Sequence, residues 1–291
     1  MLAEGVARGS LASAYPRARP PPERRILTTQ GATERSPAPS ARPVLAALAP
    51  ALRTILVLLV AWQGAVFLFK PPRYILPSPL DVALAFQRQP GFLFGHSLTT
   101  IAEMALGFVL GSLFGALTSL AIVALPRLGR LLWPILLVPQ SFPVFVIAPL
   151  LVVWFGFGMG SKVIMATIII FFPVASAFTD GLRRTDPELI DATALTTATH
   201  WQTLRYVRLP LAMPALLTGL RVTAPLAPLG AVIGEWVGAS AGLGFVMVQA
   251  NARMQTDMVF AAMTVLAVLS LVLRHLVDAL GPRLLPWASE P

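Results

Sequence analysis

Catalysis needs acids, bases, nucleophiles or metal ligands held close together, and this chain spaces its candidates far apart. The three histidines, His96, His200 and His275, have no H-E-x-x-H pair and no nucleophile elbow near them. A metalloprotease or serine hydrolase is therefore unsupported, and each histidine reads as interfacial or structural. A G-x-x-x-x-G-K-[ST] phosphate loop needs lysine after glycine, whereas the two lysines, Lys70 and Lys162, follow Phe69 and Ser161. The chain has no cysteine, which excludes disulfides and thiolate metal sites and fits a bacterial-type inner membrane. No catalytic residue, metal site or cofactor is expected, and the protein is not read as an enzyme.

Two kinds of polar residue remain. Glu103 and Glu235 lie at apolar stretches, where an ionisable group is costly unless it faces protein or water. Glu103 is expected to reach the membrane interface. Glu235 lies in GAVIGEWVGASAGLG, where Gly234, Gly238, Gly242 and Gly244 permit a tight or re-entrant loop and Trp236 can stack on a ligand. Glu235 reads equally as a helix-capping carboxylate and as a gating or substrate-contacting one. Asn251, Arg253, Gln255 and Asp257 form a polar rim just beyond. Prolines 134, 139, 143 and 149, with Gln140 and Ser141 among them, kink or break another apolar stretch beside a translocation path. Gln140, Pro143, Glu235, Trp236 and Asn251 are the expected path or gate residues.

The second kind is a polar island, Thr185 to Pro210, between two apolar runs. Asp186, Pro187 and Glu188 have the form of a helix start. Ile190, Ala194, Ala198, Trp201 and Leu204 then recur at three- and four-residue steps, an apolar stripe suited to a groove on a partner or to a lipid surface. Pro210 is expected to end the pattern just before the next apolar run.

The elements that must carry these residues are membrane spans. The composition is 56% hydrophobic and 12% charged, and the mean hydropathy is +0.75, too apolar for a soluble globule of 291 residues. Six apolar runs, near 52–69, 99–125, 131–155, 162–180, 212–236 and 258–280, each approach the ~20 residues that cross a bilayer. In the second run Gly107, Gly111 and Gly115 put three missing side chains on one helix face, as in a closely packed helix. Residues 1–45 are rich in Pro, Arg, Ser and Ala without apolar periodicity, and read as a disordered, solvated tail, with an anionic-lipid tether through its arginines as the alternative. The net charge of +9 is nearly all arginine and is segregated by loop, which points to topology and away from nucleic acid. Both termini and the island are expected in the cytoplasm.

Asp191-Ala192-Thr193, then Thr197, then Leu209-Pro210 resemble the coupling loop of permease subunits of binding-protein-dependent ABC importers. Leu76-Pro77-Ser78-Pro79, the Pro-rich third run leading into Trp154-Phe155-Gly156, Phe172-Pro173, Pro210 with Pro214, and Gly219-Leu220-Arg221 match the branch serving nitrate, sulfonates, taurine and thiamine-pyrimidine precursors. The resemblance covers roughly residues 52–280. It implies an all-α type I ABC importer permease fold of six transmembrane helices over 46–291, with a coupling loop at about 183–210. It also implies a homodimer, two separate ATPase subunits that hydrolyse ATP, and a soluble substrate-binding protein. Asp191, Ala192, Thr193, Thr197, Leu209 and Pro210 are the residues it implies for coupling. The Glu235 region is most similar to permeases for hydroxymethylpyrimidine-type thiamine precursors, with sulfonate, taurine or nitrate as the alternative. An ion-coupled carrier or a scaffold without transport activity are the rivals from other classes. The family pattern has glycine where Thr197 stands, so Thr197 implies either a strained left-handed residue or a helical turn.

Overall fold

The computed structural model describes residues 44–137 and 143–287, and every regular element among them is helical. The chain divides into a unit ending at Arg53 and a compact unit from Thr54 onward. In the first unit, residues 44–53 form the opening turns of α1 (Val44–Phe69). The tail expected over 1–45 lies outside the described residues except for its last two positions. Pro139, Gln140 and Ser141 lie outside them as well.

Among the described residues, five helices are long and apolar enough to cross a membrane: Leu52–Phe69, Pro90–Ala124, Met159–Arg183, His200–Trp236 and Thr256–Leu284. The third apolar run, expected over 131–155, is not one helix. Its described residues form the end of α4 (Pro126–Leu137), a 3-10 turn at Val144–Ile147 and α5 (Ala148–Phe155). Pro143 holds extended backbone just before the turn and Pro149 sits in the first turn of α5. Each lacks the N–H that a continuous helix would use, which explains the interruption. The six expected crossings thus resolve into five continuous helices and one broken one.

The core is built on α6 (Met159–Arg183), which packs along α3 (Pro90–Ala124) and against α9 (Leu209–Thr223) and α10 (Ala227–Trp236). The glycine stripe of α3 is what admits α6. A Cβ at Gly111 would come within 2.8 Å of the Thr167 carbonyl oxygen, and one at Gly115 within 2.8 Å of that of Phe171. From the other side, a Cβ at Gly230 of α10 would lie 2.6 Å from the Ala166 Cα. Ala166 and Ile170 are therefore fully buried between backbones that approach unusually closely. Ser119 extends the seam by donating to the Ala175 carbonyl at 2.8 Å.

The island folds into α7 (Pro187–Leu195) and α8 (His200–Thr203), followed by a wide π-type turn at Leu204–Arg208. Pro210 does not end the pattern as expected. It falls in the first turn of α9, and the wide turn ahead of it absorbs the missing hydrogen bond, so helix runs unbroken from His200 to Trp236. Beyond α10 a turn leads to α11 (Leu243–Ala252), which packs on α12 (Thr256–Leu284). Short α2 (Pro79–Arg88) also rests on α12, and Trp62 of α1 donates its indole N–H to the Pro77 carbonyl at 3.0 Å.

Candidate functional site: a polar node, an apolar cavity and an exposed helical loop

Glu235 ends α10 facing α3, and is only 1% exposed. One carboxylate oxygen accepts the Thr100 hydroxyl at 2.6 Å, and the other accepts the Gly244 N–H. Thr100 in turn accepts the Leu243 N–H at 2.8 Å, and His96 Nδ1 accepts the Gly242 N–H at 3.0 Å. Gly242, Leu243 and Gly244 open α11, so three N–H groups that a helix start leaves unpaired are met by side chains of α3 and α10. Glu235 thus has the geometry of a carboxylate that caps the start of α11. Gly242, at φ +108, and Gly238, at φ +136, make the turn between the helices.

Two further ionisable side chains are buried around this node. Glu103, 2% exposed, does not reach an interface. It lies one turn along α3 from Thr100, and its Oε2 has no partner among the described residues. Lys162, 3% exposed, lies under Gly234 and donates to the carbonyls of Phe157 and Gly158. A second charged cluster joins α9 to α12: Asp278 pairs with Arg221 at 2.8 Å and Arg274 at 2.9 Å, and Arg274 also donates to the Arg221 carbonyl. Sequence reasoning had not singled out Arg274 or Asp278, although their i, i+4 spacing inside an apolar run is the signal that would have found them.

Trp236 points the other way from Glu235. It is 53% exposed and lines a cavity of about 580 Å³ with Phe145, Val232, Met247, Met263 and Ser270. A second space of about 320 Å³, lined by Asn251 and Val248, shares Trp236 and Met247 with the first. None of the described lining residues is charged. Of the expected path residues, Trp236 and Asn251 therefore come together, and Pro143 lies exposed two positions from Phe145. Glu235 backs this wall without facing the cavity. Phe145 and Met247 were not anticipated, because nothing local distinguishes them from other apolar residues in their runs.

In the island, Asp186 accepts the Glu188 N–H at 2.9 Å and caps α7, while Thr199 and Gln202 form a reciprocal capping box at α8. The Thr203 hydroxyl meets that of Thr193 at 3.2 Å and ties the two helices together. Thr197 has φ +58, so the residue is left-handed and not helical. Asp191, Ala192 and Thr197 are exposed, Thr193 is half-buried, and Leu209 and Pro210 are half-buried at the root of α9. The expected apolar stripe is split. Leu204 is buried and Ile190 half-buried, whereas Trp201, Leu195 at 88% and Tyr206 stand exposed.

Residues 107–286 match the family model described as binding-protein-dependent transport system inner membrane component. A Haemophilus influenzae protein named "Probable ABC transporter permease protein" is 44% identical over 80% of this chain and 94% of its own length. The riboflavin transport system permease protein of Chloroflexus aurantiacus is 37% identical over 81% and 89%, and the formylaminopyrimidine transport permease protein of Halalkalibacterium halodurans 33% over 84% and 97%. Among solved structures, an inward-facing MetNI methionine ABC transporter aligns with a TM-score of 0.50 at 25% identity, covering 66% of this chain and 92% of that one. With the helical bundle and its broken third run, these matches show that the chain belongs to the inner-membrane permease components of binding-protein-dependent ABC transport systems.

Proposed function

We propose that this permease subunit carries a neutral, flat nitrogen heterocycle of the hydroxymethylpyrimidine type. It works as a homodimer, with two separate ATPase subunits seated on the loop at about 183–210 and a soluble binding protein delivering solute from outside. The observation that carries the substrate class is the cavity at Trp236. Its described lining is aromatic and aliphatic, with Ser270 and Asn251 as hydrogen-bonding groups and no charge. Trp236 and Phe145 offer ring faces for stacking, and the two polar side chains suit ring nitrogens or an exocyclic amine. A sulfonate or nitrate would find no cationic partner there, at a cost of several kcal/mol. The relatives named for riboflavin and formylaminopyrimidine transport support the same class.

The arginine asymmetry supports both termini and the island in the cytoplasm, which puts α2 and the start of α11 on the outer side. Residues 46–291 are then the permease domain and residues 1–45 a cytoplasmic basic tail. ATPase closure would push on exposed Asp191, Ala192 and Leu195 and on Trp201, which begins the unbroken helix His200–Trp236. That helix, whose winding changes at Leu204–Arg208 and at Ala224–Leu226, ends at the cavity, so one continuous element joins motor to path.

The test is uptake into proteoliposomes holding this chain, its ATPases and its binding protein. ATP-dependent accumulation of radiolabelled hydroxymethylpyrimidine without accumulation of taurine is expected. ATP-dependent taurine uptake would overturn the substrate class. Uptake that ignores ATP but collapses with an ionophore would overturn the importer mechanism in favour of an ion-coupled carrier.

A further inference from the structure

We propose that Glu235 is a positioning residue that sets the width of the solute path by pinning α11 to α10 and α3. The inference rests on the reading of the Trp236 cavity as that path. The cavity wall has two halves: Val232, Ile233 and Trp236 come from α10, and Met247, Val248 and Asn251 from α11. What fixes the distance between the halves therefore fixes the path.

Two kinds of contact hold α11, and they differ in what they can specify. Its buried face, Leu243, Val246 and Ala250, rests in apolar surroundings, and Leu243 and Val246 cluster with Val82, Leu93, Ala261 and Ala262. Apolar packing of this sort is non-directional and tolerates sliding by a fraction of a residue. The directional contacts are concentrated at the first turn, where His96, Thr100 and Glu235 each receive one N–H of Gly242, Leu243 or Gly244. Glu235 reaches the turn twice, directly through Gly244 and indirectly through the Thr100 hydroxyl. Thr100 belongs to α3, which is locked to α6 along the glycine seam, so the pin refers α11 to the rigid centre of the bundle. The turn joining α10 to α11 contains two positive-φ glycines, and a link of that kind does not fix the angle between the helices unaided.

Thr100 and Glu235 are buried and His96 is half-buried, so water has little access to substitute for the two central partners. Glu103, 2% exposed, lies one turn along α3 from Thr100, and Lys162 lies below Gly234. Loss of one charge-assisted bond at such a site shifts the opening of the first turn of α11 by about tenfold or more.

The chain has no cysteine, so a single reporter thiol is available by Val246→Cys, at a position 1% exposed on the core side of α11 and outside the pin. In liposomes a small methanethiosulfonate reagent should label this thiol slowly in the otherwise native chain. Glu235→Gln and Thr100→Val should each speed labelling by about tenfold, whereas Thr100→Ser, which keeps the hydroxyl, should not. In the reconstituted importer, Glu235→Gln and Thr100→Val should also lower solute delivered per ATP hydrolysed, a ratio that simple loss of folded protein leaves unchanged. Equal labelling in all variants, an unchanged ratio, or Thr100→Ser behaving as Thr100→Val would overturn the pin. If Glu235→Gln does not reach the membrane, the Thr100 pair decides. Absence of ATP-driven uptake in the native chain would remove the importer reading instead, and the labelling series would still decide whether the pin exists.

Discussion

A Cβ added to Gly242 would fall on the carboxyl group of Glu235. The glycine and the carboxylate are thus two halves of one contact, which holds the start of α11 closer to α10 than any side chain at 242 would allow. The backbone at Gly242 also has φ +108, a conformation L-residues rarely adopt.

Gly242→Ala should therefore be costly, by about 2 kcal/mol or more, through strain and overpacking together. Gly238→Ala is the informative comparison. It shares the positive φ, but its Cβ would meet only the ring edge of Phe157, a side chain 69% exposed and free to swing aside. Thermal unfolding of the purified protein in detergent should show a clearly larger loss for Gly242→Ala. Equal losses would mean that backbone strain alone matters and that the carboxylate contact is slack.

Thr197 offers a substitution of the opposite sign. A β-branched residue at φ +58 is strained, and its side chain is exposed, with no packing to offset the strain. Thr197→Gly should stabilise the loop by about 1 kcal/mol. Limited proteolysis between α7 and α8 should slow by several-fold in this variant. Cleavage as fast as in the native chain would show that the strain is relieved by some other adjustment.

The contrast between these two positions shows what the sequence could and could not reveal. Membrane helices, the glycine seam and the helix start at Asp186 depend on residues within one or two turns of each other, so composition and spacing expose them. The strain question at Thr197 was visible because one residue type conflicts with one backbone conformation. The node at Glu235 was visible only as an ionisable residue in an apolar run. Its partner Thr100 lies 135 residues away on another helix, and no periodicity links the two. The same holds for Lys162, which looks like a loop lysine until α10 is packed over it. Pro210 misled in a different way, because whether proline ends a helix depends on whether the preceding turn can widen, and here it does.

Asp81 gives a pH-dependent expectation in the segment between the first two spans. The Ser78 hydroxyl and then the Ser78 N–H, both hydrogen-bonded to its carboxylate, hold Asp81 below the usual carboxylate range, and Arg73 adds to the effect. A carboxyl whose folded pKa is depressed contributes stability that is fully present above its unfolded value, about 3.9, and is lost as pH falls through the lower folded value. Asp81→Asn should therefore lower the unfolding temperature at pH 7, and the gap from the native chain should close in acid. A gap of constant size from pH 7 to pH 3 would show that the carboxylate charge is not what the capping box uses.

The coupling reading makes its sharpest prediction at Ala192. This residue is exposed on α7 beside Asp191, one turn before exposed Leu195, and its small size leaves the surface flat. Ala192→Glu puts a long charged side chain on that surface, with no buried neighbour to disturb, so insertion and thermal stability should stay within about 0.5 kcal/mol of the native chain. Transport is a different matter. If the ATPase seats on this face, glutamate there must either be desolvated or hold the partner away, and solute uptake should fall by at least about tenfold, the equivalent of ~1.4 kcal/mol. Asp191→Lys should act in the same direction by reversing the charge offered to the partner. Uptake measured in vesicles with matched amounts of inserted protein separates the cases. Full uptake in both Ala192→Glu and Asp191→Lys would mean that the motor grips this chain somewhere else.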